Sequence, residues 1–237
     1  MRYALSTALM LSVAIPFFVP PAAGDDNSRA SVAATAVVYK PPMRGAPASR
    51  IGGGSRGTGE GDFVLSVLAP DHTGLTSHAQ PTLYWYASGP SIATLEVTVI
   101  AEVAELPVLT QNLKLTRGGV QSFDLAKHGV TLKPDTEYEW FVSVVPDPSQ
   151  RSKDVTSGGT IRRVSPDPAV QARAAAAGER QAPMIYAEAG FWYDAIDALS
   201  RLIERHPDDA ELHAQRAALL DQVGLPAVAS YDRAGTR

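Results

Sequence analysis

The chain has 237 residues, 45% hydrophobic and 19% charged, an ordinary balance for one or two domains with a core. Its formal net charge of −4 leaves no basic surplus, so nucleic acid is not an expected partner. Cysteine is absent, which excludes disulfides, thiol catalysis, Cys-ligated zinc and a lipid anchor on a cysteine of this chain.

Residues 1–24, MRYALSTALMLSVAIPFFVPPAAG, have the order of a secretory signal peptide. Arg2 supplies the positive end, Ala4 to Val19 the apolar stretch, and Ala22-Ala23-Gly24 the small residues of a cleavage site. Pro16, Pro20 and Pro21 interrupt the stretch, which is short for a membrane span of about 20 apolar residues. The expectation is export to the periplasm or the outside, with membrane contact only through an uncleaved signal segment. Residues 25–61 read as a flexible leader rich in glycine and proline. Such a segment buries too little apolar surface to offset the entropy of ordering it. Within it, Gly53 to Gly57 spell Gly-x-Ser-x-Gly, the pattern of a hydrolase nucleophile elbow. An elbow needs a buried strand before the serine and a helix after it. PPMRGAPAS and TGEGD supply neither, so Ser55 is not expected to be a nucleophile. No Gly-Lys-Ser/Thr closes the run as a phosphate loop would require.

From residue 62 to 165 the pattern becomes short alternating runs separated by turn residues. FVLSVLAP (63–70), PTLYWY (81–86), TLEVTVIAEV (94–103), VQSFDL (120–125), TEYEWFVSVV (136–145) and TIRRV (160–164) read as strands. Tyr138, Trp140, Val142 and Val144 fall on one face of theirs. Evenly spaced strands without helices between them predict an antiparallel sandwich of the immunoglobulin or fibronectin III kind. LKPDTEYEWFV (132–142) resembles the corner of those domains, in which a tyrosine hydroxyl bonds back to the main chain; Tyr138 is the candidate.

Beyond Ser165 the period is helical, and residues 166–226 are expected to form a short tail docked on the sandwich. Asp167-Pro168 is a helix start, with a capping carboxylate and proline in the first helical position. A second helix opens near Pro183 and ends at Gly190. Trp192, Ala195, Ile196, Leu199, Leu202 and Ile203 form the apolar stripe of a third, and Pro207 stops it. Asp208 and Glu211 read as a capping pair for a fourth, closed by Gly224. AGFWYDAIDALSRLIERHPDDAEL resembles the second half of a tetratricopeptide repeat, with Gly190 at the turn and Ala195 at the small packing position. About one and a half repeats cannot stand alone, which is why docking is expected. Residues 227–237 are expected to be disordered.

The ordered set RIGGGSRG, LSVLAPDHTGLT through PTLYWYASG, LKPDTEYEWFVSVVPDPSQRSKDV, GTIRRVSPDP, YAEAGFWYDAIDALSRL and VGLPAVA resembles an exported bacterial family, domain of unknown function 928. The resemblance implies export and this architecture, and implies no mechanism. It also implies that RIGGGSRG does more than link, as backbone laid across a sheet edge or as a docking segment. Relatives often carry cysteines near positions held here by Thr58 and Val145-Pro146, so any pairing of theirs is not needed in this chain.

Candidate chemistry is sparse. His72 and His78 flank Gly-Leu-Thr, read as a turn, without a third ligand at zinc spacing. Asp147 and Asp154 lie in a loop without the regular spacing of a calcium site. Glu188, Asp194 and Asp197 offer carboxylates of the type used in glycoside hydrolysis, but their helical spacing reads as solvated surface charge. No catalytic residue, metal or cofactor is assigned. Two aromatic trios stand out: Tyr84, Trp85 and Tyr86 on a strand, and Phe191, Trp192 and Tyr193 at a helix start. Their simplest use is an interface at which the two trios meet; a carbohydrate platform is the alternative.

The sequence therefore reads as a non-enzymatic, exported protein-interaction module whose partner is an envelope or secreted protein. A carbohydrate- or envelope-binding module is the second reading. N-terminal sequencing of the mature protein is expected to start within a few residues of Asp25; a chain that retains Met1 would contradict export with cleavage.

Overall fold

The computed structural model describes residues 37–42, 50–51, 55–57, 62–102 and 104–235. The expected signal peptide, 1–24, lies outside the described residues. Nine strands and five α-helices follow in order among those described. The strands are β1 (Ser55–Gly57), β2 (Asp62–Val67), β3 (Gly74–Thr76), β4 (Thr82–Ala87), β5 (Ser91–Ala101), β6 (Leu109–Leu115), β7 (Gly119–Asp124), β8 (Glu137–Val145) and β9 (Val155–Arg163). The helices are α1 (Pro168–Ala177), α2 (Ala182–Glu188), α3 (Trp192–Arg205), α4 (Ala210–Gln222) and α5 (Pro226–Ala234).

The strands make two sheets, ordered β1-β2-β4-β7 and β3-β9-β8-β5-β6. All pairings are antiparallel except β3 with β9, where Gly74 lies beside Ile161. On β8 the period-two pattern sends Tyr138, Trp140, Val142 and Val144 inward, and all four are buried. Leu65 and Val67 of β2, Leu83 of β4 and Leu95, Val97 and Val99 of β5 join them in one buried cluster. The Tyr138 hydroxyl accepts the main-chain N–H of Lys133 at 3.0 Å, closing the corner before β8.

Three strands were not visible as alternation. β3 is three residues long and wholly buried, so the Gly-Leu-Thr read as a turn is a strand. β6 is an edge strand paired only with β5, and its exposed positions carry Thr110, Asn112 and Lys114. β1 pairs at the sheet edge, Ser55 opposite Val64, so the serine of the Gly-x-Ser-x-Gly pattern sits on a strand. The flexible-leader reading of 25–61 therefore fails for its described parts. Ile51 exchanges main-chain hydrogen bonds with Gly158, and Val37 and Tyr39 are buried. Ile51 and Ser55–Gly57 gain main-chain hydrogen-bond partners from existing strands, which offsets their ordering entropy.

Helix starts follow the capping chemistry of the sequence. The Asp167 carboxylate accepts the N–H of Ala169 at 2.8 Å, with Pro168 in the first turn. For α4 the cap is Asp209 in place of Asp208; its carboxylate accepts the N–H groups of Glu211 and Leu212. The stripe of α3 is buried from Trp192 to Ile203. Gly190, at φ +86°, makes the turn between α2 and α3.

The C-terminus departs from expectation. Residues 226–234 form α5, with Val228 and Ala229 buried. Asp232 is buried as well and holds Arg216 of α4 by two hydrogen bonds, 2.6 and 2.8 Å, while Arg216 also donates to Ser200 of α3. This tertiary pairing orders a segment whose local pattern is too short to announce itself. Buried residues of α2 to α5 belong to the same cluster as those of both sheets.

The shared core predicts that a fragment of residues 166–237 alone is mostly unfolded, while 62–237 melts in one step. Trp192→Ala is expected to destabilise the full chain by about 3–5 kcal/mol in chemical denaturation, the usual range for large-to-small core changes. A sharp thermal transition in the isolated fragment would contradict both expectations.

Candidate functional site

Five of the six residues of the two aromatic trios are buried, and Tyr86 is half-buried. On β4, Tyr84 is buried and its hydroxyl donates to Asp197 Oδ1 of α3 at 2.9 Å. Burial, then the Asp197 charge, raises its pKa. Trp85, pointing to the other face of the strand, is also buried. Tyr86 is half-buried against Tyr231 of α5, ring centroids 5.0 Å apart. At the start of α3, Phe191, Trp192 and Tyr193 are all buried. The Trp192 indole donates to the Leu68 carbonyl at 2.8 Å. The Tyr193 hydroxyl donates to the Thr160 carbonyl and accepts from the Trp140 indole, each at 2.9 Å. Gly74 is the residue on which the Tyr193 ring rests, since a Cβ there would come within 2.6 Å of it. Each trio thus reaches across between sheet and helix through its own partners: β4 to Asp197 and Tyr231, α3 to Leu68, Trp140 and Thr160.

The carboxylates read as surface charge have separate duties. Asp194, in the first turn of α3, is 1% exposed. It accepts the Thr76 hydroxyl at 2.6 Å and the Ser77 N–H at 2.9 Å, so α3 is latched to the end of β3. Burial raises its pKa, while the nearby His78 and the donors on Ser77 and Thr76 act the other way. Asp197 holds Tyr84 and Arg201. Glu188 holds Lys40 and Arg173, which keep its carboxyl below the usual range.

Two of the histidine rings, His72 and His213, are held by hydrogen bonds. His72 stands between Asp71 and the Tyr39 hydroxyl, 2.9 Å from each. His206 caps α3, its main-chain N–H reaching Leu202 and Ile203. His213, Ser200 and Asp232 lie near one another, but His213 Nε2 meets the Pro207 carbonyl and Ser200 takes a hydrogen bond from Arg216. The imidazole therefore has no line to the serine, and the three do not form a charge-relay triad. Asp147 is engaged by Ser149 and Gln150 within its own loop, and Asp154 by Arg151. Among the described residues, no three His, Asp or Glu side chains are grouped to hold a metal. No helix among them is long and apolar enough to cross a membrane.

An open groove lies beside the latch. It has a volume of about 690 Å³ and lies between the loop carrying His78 and Gln80 and the polar face of α3, with Asp197, Arg201 and Arg205. A second hollow of about 520 Å³ shares His78, Glu179 and Ala182 with it and continues toward Gln171 and Tyr186. Arg201 pairs with Asp197 at 2.9 Å, and Arg205 with Glu179 at 2.6 Å. The Arg205–Glu179 pair is exposed, so it is weak and salt-sensitive, and a ligand with its own charges can exchange with it at little cost. The sequence reading had missed this groove because its lining is contributed from segments about 100 residues apart.

A family model described as Domain of Unknown Function (DUF928) matches residues 51–232. The chain belongs to that family. The DUF928 span begins at Ile51, which bridges to β9, and ends at Asp232, the buried partner of Arg216. It therefore takes in both sheets, the latch and the groove. Among curated proteins none matches the chain.

The latch supplies a test of how the groove is built. Asp194→Ala leaves the Thr76 hydroxyl and the Ser77 N–H without their acceptor and is expected to cost about 2–4 kcal/mol. Asp194→Asn retains an acceptor for Ser77 and is expected to cost about half as much. Urea denaturation of the two variants measures both; equal stability of Ala, Asn and wild type would contradict the latch.

Proposed function

We propose that this DUF928 chain is a non-enzymatic protein–protein interaction module that works in the cell envelope or outside the cell. The observation that carries the reading is the groove between the His78 loop and helices α1 to α3. Its walls bear Glu179, Arg201, Glu204 and Arg205, charges of both signs in exposed positions, which suit a polar segment of another protein. Asp194, Glu188, Asp147, Asp154 and His72 hold partners within the protein, which supports a binding role over a catalytic one. Export is supported by the order of residues 1–24.

The scaffold suits such a role. We read the two sheets as an immunoglobulin- or fibronectin III-like sandwich. Supporting this are the strand order, the passage from β2 in one sheet to β3 in the other, and the Tyr138–Lys133 corner. The pair α3–α4 supports the tetratricopeptide-like reading, with Gly190 at the preceding turn and buried Ala195 at the small packing position. The partner in this reading is a protein of the same compartment. The carbohydrate reading has less support, because Tyr84, Trp85, Phe191, Trp192 and Tyr193 are turned to the interior.

In vivo cross-linking followed by purification from the exported fraction tests this. Wild type is expected to retain a discrete protein partner, and the double reversal Arg201→Glu, Arg205→Glu to reduce its recovery at least about tenfold, as loss of complementary charge does. Equal recovery with both proteins would overturn the groove as the docking site.

A further inference from the structure

Residues Val37–Pro42, outside any helix or strand, pass the α2–α3 turn and the end of α4, and their contacts have the form of peptide recognition. The Gln222 carboxamide accepts the Tyr39 N–H and donates to the Val37 carbonyl, both at 2.9 Å. One planar amide thus reads the main chain of two alternate residues, as a neighbouring strand would. The Lys40 N–H donates to the Ala187 carbonyl at 3.1 Å, at the end of α2.

The side chains alternate accordingly. Val37 and Tyr39 are 3% and 7% exposed, and Val38 between them is 50% exposed. The Tyr39 ring meets Trp192 edge-on at 5.0 Å and stacks on His72 at 5.7 Å, with its hydroxyl 2.9 Å from His72 Nε2. Lys40 reaches Glu188 at 2.8 Å. Gly190 opens the wall, since a Cβ there would lie 3.0 Å from the Lys40 carbonyl.

The walls stand without this segment. α3 is fixed by Trp192 to Leu68, Tyr193 to Thr160 and Asp194 to Ser77, none of which involves residues 37–42. The segment also precedes the matched family span, which starts at Ile51. The groups that hold its main chain, a carboxamide and a helix-terminal carbonyl, are ones that water satisfies equally well when the segment leaves.

We propose that this cleft is a recognition site for an extended peptide of the pattern apolar-x-Tyr-Lys, carried by a partner protein, and that Val37–Lys40 is a built-in competitor for it. A tether of a few residues gives the resident segment an effective concentration on the order of millimolar, so a partner peptide of equal intrinsic affinity is held off until the resident is displaced. The site shares no lining residue with the groove beside His78. The inference adopts the interaction reading, yet either site can fail alone.

The test uses the full chain and a fluorescein-labelled peptide of residues 35–43, TAVVYKPPM, followed by anisotropy. The double variant Val37→Ser, Tyr39→Ala is expected to bind it at least about tenfold more tightly than wild type, because the competent site is no longer occupied in cis. Adding Gln222→Ala, or replacing the peptide's tyrosine by alanine, is expected to abolish binding. A double variant with the wild-type circular dichroism spectrum that does not bind the peptide would overturn the proposal. Should that variant unfold, a protease site placed within residues 43–49 of the otherwise wild-type chain serves instead. After cleavage the labelled peptide is expected to replace the resident segment, and its exclusion at hundredfold excess would overturn the proposal. Neither readout depends on the cross-linked partner, so a failure here is distinct from a failure of the His78 groove.

Discussion

Three consecutive residues at the start of α3 hold the protein together. Trp192, Tyr193 and Asp194 point in different directions around the first helical turn, and each has a polar end that finds a partner in the strands or their loops. The indole meets the Leu68 carbonyl after β2, the phenol meets Thr160 on β9, and the carboxylate meets Thr76 and Ser77 after β3. Their apolar bodies seal the same junction, so hydrophobic burial and hydrogen bonding act together there. β3 depends on it, having only three residues and a single neighbouring strand. The cleft that holds Tyr39 is walled by Trp192 of this anchor, and His78 of the groove lies near its Asp194.

The helices are secured by a different device. Arg216 and Asp232 are both buried, and two hydrogen bonds between them plus one to Ser200 compensate the removal of a charge pair from water. Such a pair adds little net stability over an apolar substitute, but leaving one partner alone is strongly unfavourable. Its effect is on arrangement: α3, α4 and α5 meet in the one geometry that satisfies the guanidinium. The terminal helix is thereby fixed, and with it Tyr231 against Tyr86 of β4.

Residues that resemble catalytic groups were turned to these structural ends. A serine, a histidine and an aspartate come together among α3, α4 and α5 without the geometry of a relay, and three acids on α2 and α3 address three different sets of donors. The His78 groove has exposed charges, and the cleft at the end of α4 has a main-chain reader in Gln222. Both favour contact with another polypeptide, and in the second case one segment of this chain already shows what such a contact looks like.

The inward face of β8 was legible in the sequence because alternation is a property of adjacent residues, and it holds wherever a strand lies over a core. The start of α1 was legible because Asp167 and Pro168 act on the turn that contains them. The face of α3 followed from its stripe, and the need of Phe191, Trp192 and Tyr193 for cover from their size and polarity. Asp194 was misread as solvated because helical spacing tells where a side chain points relative to its helix and nothing of what is packed there. Val37–Pro42, β3 and α5 were missed for the same reason: each is too short to fold by its own periodicity and is ordered by Gln222, β9 or Arg216, far away in sequence. Local sequence thus determined element type and apolar faces, where the controlling contacts span a few residues. Only the tertiary structure decided which polar groups were buried together and where clefts remained, since hydrogen bonds and ion pairs between distant segments exist only once the chain has brought them together.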